Sequence, residues 1–311
     1  MQNVAIIGSN GFIGRHLTQR LSREKNNSLY LFGRGESSIS AENLPYKKID
    51  FFDKEKLKTD FSNIDIVYYL ASETIPATSW DTPMLEIEKN LIPFINFLEV
   101  ISKLQVKKVA FVSSAGTVYG TTEGRVPENS DKKPFSPYGI TKLTMENFLS
   151  YYKVRYGIQY DVYRVSNVYG EGQDIGKGLG IINTFLEKII KEKQVKVYGD
   201  GEATRNYIYV KDVAELLSFS VRNISSSDIF NISSNSTLSI NNLVKVMKII
   251  VREDFTVSYE QGRKSDNSYI DLDNSKILGS FDGFEFTNIN DGVRKTYNSL
   301  VEMVKSEDSN G

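Results

Sequence analysis

The 311-residue sequence predicts an α/β fold with a doubly wound parallel sheet and a smaller C-terminal α/β domain. Short apolar runs recur along the first half of the chain, and helical patterns separate the later ones. Such runs are typical of parallel strands that are covered on both faces. After Tyr169 the sequence becomes irregular and richer in glycine, serine and asparagine, which predicts that a second domain begins there.

The predicted elements alternate in the order that this fold requires. The predicted strands are residues 4–7, 29–32, 64–70, 109–112 and 160–165. The predicted helices are residues 12–21, 84–104 and 138–155. Short apolar runs interleaved with helices in this way imply a parallel sheet covered by helices on both faces.

Composition excludes several classes of function. The formal net charge is -1, cysteine is absent and His16 is the single histidine. We therefore expect no nucleic-acid partner, no thiolate chemistry and no metal site. No apolar run approaches the roughly 20 residues of a membrane span, and no signal-peptide pattern opens the chain. A cytoplasmic enzyme or binding protein without membrane contact is expected.

A glycine-rich turn follows the first predicted strand and opens the first helix. It reads Gly8-Ser-Asn10-Gly11-Phe12-Ile13-Gly14. The first glycine permits a tight turn, the second lets the backbone approach a pyrophosphate, and the third allows close packing of helix on strand. The helix N-terminus offers free N–H groups and partial positive charge to the anion. We therefore predict a dinucleotide cofactor on this turn.

The end of the second strand should lie beside the adenosine ribose. An NAD site usually places an acidic residue there, but this sequence has Gly33 and Arg34. An arginine suits a 2′-phosphate, so NAD and NADP both stay open. Asp50 and Phe51 follow the next short run and are candidates to flank the adenine, although Asp50 could equally be a helix N-cap.

Tyr138 and Lys142 stand four residues apart in a predicted helix that opens after Pro137. This spacing places them on one helical face. A neighbouring ammonium, together with a nicotinamide cation, would lower the pKa of the phenol from its usual value near 10. Tyr138 would then serve as an acid or base, with Lys142 also holding the nicotinamide ribose.

Four motifs together resemble the extended short-chain dehydrogenase/reductases, above all the nucleotide-sugar epimerase/dehydratase branch. They are the glycine turn, Tyr138-Gly-Ile-Thr-Lys142, Arg164-Val-Ser-Asn-Val-Tyr-Gly170, and Gly199-Asp-Gly-Glu-Ala-Thr-Arg-Asn-Tyr-Ile-Tyr-Val210. The resemblance implies a Rossmann-like sheet, a tightly held NAD or NADP and a nucleotide-diphosphosugar substrate. It also implies a homodimer formed through helices 84–104 and 138–155.

The resemblance further implies that one domain binds the cofactor and the other binds the substrate. Residues 1–169, with about 206–233, would bind the cofactor, and residues 170–205 and 234–311 would bind the substrate. It assigns to the cofactor the loop residues Leu70, Ala71 and Ser72, together with Asn90 and Ser113. It assigns to the substrate Asn167, Gly178, Leu179, Lys196, Tyr198, Arg205 and Arg263.

Two departures from the family pattern matter for the reaction. Ala115 stands where the family usually has a hydroxyl that bonds the sugar 4-oxygen. If the strand continues, Thr117 returns to the face of Ala115, so we expect Thr117, rather than Ser114, to supply the missing bond. Gly116 and Thr117 also replace the Asp-Glu pair that the resemblance implies for a 4,6-dehydratase, which excludes that reaction.

Three functions stay open at this level. The motif match favours a UDP-hexose-type 4-epimerase, whereas the missing acid beside Arg34 favours an NADPH-dependent 4-keto reductase. A non-catalytic nucleotide-binding protein on the same fold is the third, because fold alone does not fix function.

Overall fold

A computed structural model describes residues 1–36, 44–174, 180–261 and 271–309. The strands are β1 Gln2–Ile7, β2 Asn27–Gly33, β3 Tyr46–Lys48, β4 Ile66–Tyr69, β5 Lys108–Ser114, β6 Arg125–Val126, β7 Gln159–Val165, β8 Asn167–Tyr169, β9 Gln194–Tyr198, β10 Thr204–Tyr209, β11 Asp228–Ile232, β12 Thr237–Ser239, β13 Thr256–Glu260 and β14 Asp271–Leu272. The α-helices are α1 Phe12–Leu21, α2 Lys54–Phe61, α3 Pro76–Ser79, α4 Pro83–Glu86, α5 Ile92–Ile101, α6 Ala115–Tyr119, α7 Pro137–Tyr156, α8 Ile181–Glu192, α9 Val210–Leu217, α10 Phe219–Arg222, α11 Ile240–Ile250, α12 Ser275–Leu278 and α13 Ile289–Ser309.

A seven-stranded sheet forms the centre of the first part of the chain, with strand order β11-β7-β5-β4-β1-β2-β3. The five pairings from β3 across to β7 are parallel. This order places the first strand in the interior of the sheet, between β4 and β2, as in doubly wound nucleotide-binding sheets. The predicted fold class is therefore confirmed, and the five predicted apolar runs correspond to β1, β2, β4, β5 and β7.

Contiguous apolar sequence explains why these strands lie inside. All four residues of β4 are buried, as are Val4 to Ile7 in β1. Their side chains join helix residues such as Phe94, Phe97 and Leu149 in one core cluster. Burial of each large apolar side chain contributes about 1.5–3 kcal/mol, so covering both faces of the sheet is the main source of its stability.

A buried ion pair crosses between two neighbouring strands of this sheet. Lys108 Nζ lies 2.6 Å from an oxygen of Asp161, and both side chains are fully buried. The hydroxyl of Ser220 donates to the same carboxylate oxygen at 2.5 Å. The other oxygen of Asp161 has no hydrogen-bond partner among the described residues. A pair so deeply buried stabilises the fold only while both partners are present.

The predicted helix 84–104 is interrupted, and this corrects the sequence prediction. It consists of α4, a π-helical turn at Ile87–Leu91, and α5, which ends at Ile101. In the π turn the N–H of Ile92 bonds the carbonyl of Ile87, five residues back. Pro93 follows directly, and a proline lacks an N–H and crowds the carbonyl four residues earlier. The wider turn accommodates this proline.

The chain divides into two compact units. The first contains residues 1–120, 128–165 and 214–231, and the second contains residues 121–127, 166–213 and 232–311. Residues 121–127, 166–169, 206–213 and 232–233 thus fall in the second unit, whereas the sequence-based boundaries placed them in the first. Strand pairing gives the physical reason, because β6 pairs with β14 and β10 pairs with β8 and β12.

The second unit has its own small sheets and its own core. Strands β12, β10 and β8 form one sheet, and β13 pairs in parallel with β9. Apolar residues of α8, α11 and α13, such as Leu186, Leu243 and Val293, pack with strand residues into a separate core cluster. Among the described residues no helix is both long and apolar enough to cross a bilayer.

Candidate active site

The glycine turn brings three backbone segments of the first unit into contact. Gly8 has φ +88°, and a Cβ there would lie 3.1 Å from the backbone of Leu70 and Ala71. A Cβ on Gly14 would lie 2.1 Å from the carbonyl oxygen of Gly8. Glycine is therefore required at both positions, for the turn at Gly8 and for the approach of α1 at Gly14.

The first turn of α1 is suited to bind an anion. No acidic residue lies in this turn, and Gly11 caps the helix without a side-chain hydrogen bond. The N–H groups of the first helical turn, which include those of Phe12 and Ile13, have no partners within the helix. Together with the cradle that a Cβ would fill, this is the geometry expected for a dinucleotide pyrophosphate.

The loop after β2 is tied to the glycine turn. The amide of Asn10 donates to the carbonyl of Glu36 at 2.8 Å and to the hydroxyl of Tyr46 at 3.0 Å. Arg15 Nε donates back to the carbonyl of Asn10 at 3.1 Å. The side chain of Asn10 thus links the glycine turn to the loop after β2 and to β3.

Arg34, the predicted 2′-phosphate ligand, already has a carboxylate partner. Its guanidinium forms an ion pair with Glu73, in the loop after β4. The backbone N–H of Glu73 is in turn held by the Asn90 side chain at 2.8 Å. The structure therefore places a carboxylate beside Arg34, which sequence spacing alone did not reveal.

The predicted adenine neighbours have structural partners. Asp50 accepts from the N–H of Phe52 at 2.9 Å, in a local turn. The N-cap of α2 is Asp53 and not Asp50, which corrects the alternative considered above. Phe51 packs on Tyr69 and Phe97, with ring centroids 5.7 and 6.2 Å away. Contact of Asp50 and Phe51 with adenine stays a prediction.

The predicted catalytic pair lies at the start of α7. The Ser136 side chain caps this helix by accepting from the N–H of Gly139 at 3.1 Å. Lys142 Nζ lies 5.5 Å from the centre of the Tyr138 ring. It also donates to the carbonyl of Val112 at 3.2 Å, so its position is fixed by β5.

Burial, more than charge, sets the ionisation of the pair in the protein. Burial raises the pKa of Tyr138 to about 12, while its hydrogen bond with Ser72 lowers that pKa and nearby Glu86 raises it. Burial also lowers the pKa of Lys142 to about 8, against the carboxylates of Glu86 and Glu146. In the protein alone the pKa of Tyr138 is therefore raised by burial, whereas the sequence analysis expected Lys142 to lower it.

The placement of Thr117 by strand alternation was wrong. Residues 115–119 form the short helix α6, which begins after Ser114. Helical backbone turns side chains by about 100° per residue, so alternation does not apply there. The Thr117 hydroxyl donates to the Ser114 carbonyl at 3.3 Å. A Cβ on Gly139 would lie 2.2 Å from the Thr117 carbonyl oxygen, so α6 packs directly against the start of α7.

Behind the pair, a buried network anchors α7 to the sheet. Glu146 lies one turn beyond Lys142 and is bound by Arg164 at 2.6 Å. The hydroxyl of Ser113 donates to the same carboxylate at 2.6 Å. Arg164 also donates to the hydroxyl of Tyr119 at 2.9 Å. Ser113, predicted to border the cofactor, therefore directs its hydroxyl into this network.

The predicted substrate residues that can be described lie in the second unit. Arg205 and Asn167 lie on neighbouring strands β10 and β8, and Asn167 donates to the carbonyl of Asn206 at 3.0 Å. Lys196 and Tyr198 lie on β9, where Lys196 pairs with Glu260 at 3.1 Å. Three further predicted residues lie outside the described residues: Gly178, Leu179 and Arg263.

Comparison with known proteins identifies the family. The sequence model of the NAD dependent epimerase/dehydratase family matches residues 4–233. The chain belongs to this family. The predicted family, the NAD(P)-dependent enzyme class and the nicotinamide cofactor are therefore confirmed.

Relatives and solved structures support this membership across the chain. A Methanocaldococcus jannaschii protein provisionally named UDP-glucose 4-epimerase is 30% identical, over 89% of this chain and 92% of its own length. The UDP-glucose 4-epimerase of Thermotoga maritima, solved with UDP-glucose, has TM-score 0.88 and 29% identity, over 97% of this chain and 100% of that one. The UDP-glucose 4-epimerase of Thermus thermophilus, solved with NAD, has TM-score 0.88 and 26% identity, over 96% and 99%.

One relative of the chain is named for the alternative activity, the 4-keto reductase. The dTDP-4-dehydro-6-deoxyglucose reductase of Escherichia coli is 25% identical, over 96% of this chain and 97% of that protein. Both reactions that the sequence left open thus occur among similar proteins.

Sequence reasoning did not single out three polar residues that lie close to candidate site residues in the structure: Glu73, Glu86 and Tyr207. Glu73 and Glu86 are carboxylates, and nothing in their spacing distinguishes them from solvated charges. Tyr207 follows Arg205 by two residues on β10, a spacing that places both on one strand face. Its hydroxyl is buried and has no hydrogen-bond partner among the described residues. The described residues also contain no cluster of three or more His, Asp or Glu that could hold a metal.

Proposed function

We propose that this chain is a nucleotide-diphosphosugar 4-epimerase of the UDP-hexose type with a bound nicotinamide cofactor. The observation that carries the proposal is the pairing of Tyr138 with Lys142 on α7, in the same unit as the glycine turn. A phenol beside an ammonium can exchange a proton with a sugar hydroxyl. The similar epimerases support this reaction in preference to the others.

The residues of the first unit fit a nicotinamide dinucleotide. Gly8, Gly11 and Gly14 would cradle the pyrophosphate at the N-terminus of α1, and Lys142 would hold the nicotinamide ribose. When bound, the cofactor supplies a hydride acceptor and donor for carbon 4 of the sugar. The Arg34–Glu73 pair favours NAD over NADP, because the guanidinium is already neutralised and a carboxylate stands beside it.

The protein accepts and returns the proton of the sugar 4-hydroxyl. Tyr138 accepts this proton in one direction and returns it in the other, so one residue serves both halves of an epimerisation. We propose that Ser72, whose side chain lowers the pKa of Tyr138, hydrogen-bonds and orients the Tyr138 hydroxyl. Thr117 stays our candidate for the hydrogen bond to the sugar oxygen that Ala115 cannot make, with Ser114 as the other hydroxyl in the same segment.

The second unit would contribute the substrate-binding side chains. We propose that Arg205 and Arg263 bind the diphosphate, because the planar donor fork of arginine suits such a dianion. The hydroxyl of Tyr207, two residues after Arg205 on β10, would add a donor to the same ligand. Asn167, Gly178, Leu179, Lys196 and Tyr198 are proposed to complete the nucleotide site, and residues 70–72, Asn10, Asn90 and Ser113 to surround the cofactor.

The 4-keto reductase is the second candidate, supported by the Escherichia coli relative and by the absence of an acid directly after β2. Absorbance at 340 nm distinguishes the two. We expect UDP-glucose and UDP-galactose to interconvert without added NADPH and without net cofactor consumption. Steady loss of NADPH with a 4-keto sugar nucleotide, and no interconversion, would establish the reductase. Nucleotide binding without turnover would leave a non-catalytic protein.

We also propose a homodimer, working in the cytoplasm. The two predicted interface helices carry exposed apolar side chains: Met84 is 59% exposed, Ile140 51% and Val154 86%. Ile140 and Val154 are separated by nearly whole helical turns and share a face of α7. Light scattering on a sizing column should give twice the chain mass of 35.2 kDa, and Ile140→Glu with Val154→Glu should give a monomer.

A further inference from the structure

At the end of β2, the space of a side chain is taken by the hydroxyl of Tyr46. A Cβ on Gly33, the last residue of β2, would lie 2.6 Å from the Tyr46 hydroxyl oxygen and 3.5 Å from the Asn10 amide nitrogen. The backbone of Gly33 is not in the left-handed region, so no turn requires glycine there. Tyr46 is paired with Leu31, and its side chain extends along the strands to reach Gly33. A side chain of β3 therefore stands where one of β2 would be expected.

The hydrogen bonds of Tyr46 determine what its oxygen can still bind. The hydroxyl donates to the carbonyl of Gly35 at 2.6 Å, which uses its single proton. It accepts from the amide of Asn10 at 3.0 Å. The same Asn10 nitrogen reaches the Glu36 carbonyl at 2.8 Å, so this atom is a donor and not the amide oxygen. A phenolic oxygen has two lone pairs, and these contacts among the described residues leave one of them for a further donor.

The group that Tyr46 offers is a neutral acceptor. Burial raises the pKa of Tyr46 above the usual value near 10, and this effect exceeds that of the Asn10 hydrogen bond, which lowers the pKa. The phenol therefore keeps its proton at physiological pH, and the Gly35 carbonyl holds that proton. What remains for a ligand is a lone pair, which accepts from a hydroxyl but repels an oxygen that carries no proton.

The contacts of Tyr46 connect this lone pair to the proposed cofactor site. Asn10 belongs to the glycine turn, the proposed cradle of the pyrophosphate. Gly33 ends the strand whose terminal acid, in many NAD sites, binds the 2′-hydroxyl of the adenosine ribose. A ribose hydroxyl has a proton to donate to Tyr46. A 2′-phosphate has none above its second pKa of about 6.

We propose that Tyr46 binds the 2′-hydroxyl of the adenosine ribose, in the place that an acid at the end of β2 holds in many NAD sites, and thereby selects NAD over NADP. This role rests on the proposed function through its cofactor site at the glycine turn. It is separate from that of the Arg34–Glu73 pair. That pair neutralises the cation that a 2′-phosphate needs, whereas Tyr46 supplies the acceptor that a ribose hydroxyl needs.

The test compares NAD with 2′-deoxy-NAD, the analogue that lacks this hydroxyl of the adenosine ribose. Full-length protein freed of bound nucleotide is titrated with each ligand by calorimetry at about pH 8, where a 2′-phosphate is a dianion. The wild type should bind NAD about 3–10-fold more tightly than the analogue, the factor expected for one neutral hydrogen bond. Tyr46→Phe should bring this ratio close to one. A general disturbance of the loop weakens both ligands equally and cancels in the ratio.

NADP and a control variant complete the comparison. The wild type should prefer NAD to NADP, and Tyr46→Phe should reduce this preference by about 3–10-fold, because no lone pair then faces the 2′-phosphate. Tyr30→Phe removes a phenolic oxygen from β2 itself, where the ring packs against the core, and should leave both ratios unchanged. A wild type that prefers NADP would overturn the selection of NAD by Tyr46.

A pair of substitutions tests whether Tyr46 stands in for an acid. Tyr46→Ala clears the space beside Gly33, and adding Gly33→Asp puts a carboxylate there. The double variant should bind NAD at least about 10-fold more tightly than 2′-deoxy-NAD, because a hydrogen bond to a carboxylate is stronger than one to a phenol. Tyr46→Ala alone should not distinguish the two ligands, and equal ratios in both variants would contradict the proposal. Tyr46 is partly buried on an edge strand, so these variants should fold.

These affinities separate the role of Tyr46 from the proposed function. None of the measurements needs turnover, so a chain without epimerase activity would still show whether Tyr46 binds the ribose. Conversely, an unchanged ratio of NAD to 2′-deoxy-NAD affinities in folded Tyr46→Phe overturns the role of Tyr46 and leaves the epimerase proposal standing.

Discussion

Substitution of Gly14 by alanine tests whether the glycine turn is the cofactor cradle. The new Cβ would lie 2.1 Å from the Gly8 carbonyl oxygen and 2.9 Å from both the Gly8 carbonyl carbon and the Ser9 Cα. Ordinary contacts of a Cβ begin near 3.4 Å, so the turn and α1 must separate by about 1 Å. All three atoms are backbone, and no flexible side chain can move aside.

The expected cost follows from this displacement. Overpacking of this kind costs about 1–3 kcal/mol of stability, which lowers Tm by several degrees. A displacement of about 1 Å also moves the helix N–H groups away from the position in which they can bind the pyrophosphate. Misplacement of this size typically reduces the effect of such groups by about 100-fold. We expect calorimetric NAD affinity to fall by roughly two orders of magnitude, equivalent to about 3 kcal/mol.

Gly279→Ala is the matched control, since its Cβ would meet its nearest neighbour at 3.5 Å. Its NAD affinity and Tm should remain close to wild type. If Gly14→Ala bound NAD with wild-type affinity and the same Tm, the close approach of α1 to the turn would be refuted, and with it the assignment of the cradle.

Four further substitutions test the site and the core. Tyr138→Phe should retain NAD and lose epimerase turnover by at least about 100-fold, because no other described group replaces its proton; wild-type kcat would refute the assignment. Thr117→Val should reduce kcat by about 10-fold with unchanged NAD affinity, whereas an unaltered kcat would point to Ser114 or to no hydroxyl at all. Glu73→Gln frees the guanidinium of Arg34 and should improve NADP binding relative to NAD by about 10-fold in calorimetry, an effect absent if the pair lies away from the ribose. Asp161→Asn leaves the buried Lys108 without its carboxylate partner and should lower the free energy of unfolding, measured in urea at pH 7, by about 3–5 kcal/mol. A decrease of less than about 1 kcal/mol would contradict this expectation.

Sequence reasoning predicted the central strands because burial on both faces leaves an unbroken apolar run. It missed β3 at the sheet edge, where Tyr46, Lys47 and Lys48 are partly or largely exposed and give no apolar run. It also predicted one continuous helix over 84–104, because apolar periodicity does not record how a proline such as Pro93 is accommodated. The π turn is a local backbone response to that residue, visible only in three dimensions.

The catalytic pair and the glycine turn were accessible from sequence because each depends on spacing along one element. Thr117 was misplaced because β5 was assumed to continue past Ser114, whereas the chain turns into α6. The role of Glu73 was not accessible, since its partner Arg34 is distant in the sequence, and the burial of Glu86 gave no sequence signal. Charged residues are usually exposed, and a sequence pattern gives no sign when one of them is buried.

The loop after β4 links the parts of the site that the sequence treats as separate motifs. Its first residues, Leu70 and Ala71, lie against the glycine turn, and Ser72 lowers the pKa of Tyr138. Glu73 pairs with the arginine after β2, and Thr74 is held by Asn90. A shift of this loop would therefore disturb the proposed pyrophosphate cradle, the proposed ribose site at Arg34 and the surroundings of Tyr138 together. Catalytic side chains must be held to within a fraction of an ångström. Because the π-helical turn holds this loop through Asn90, it also helps to fix the three parts of the site relative to one another.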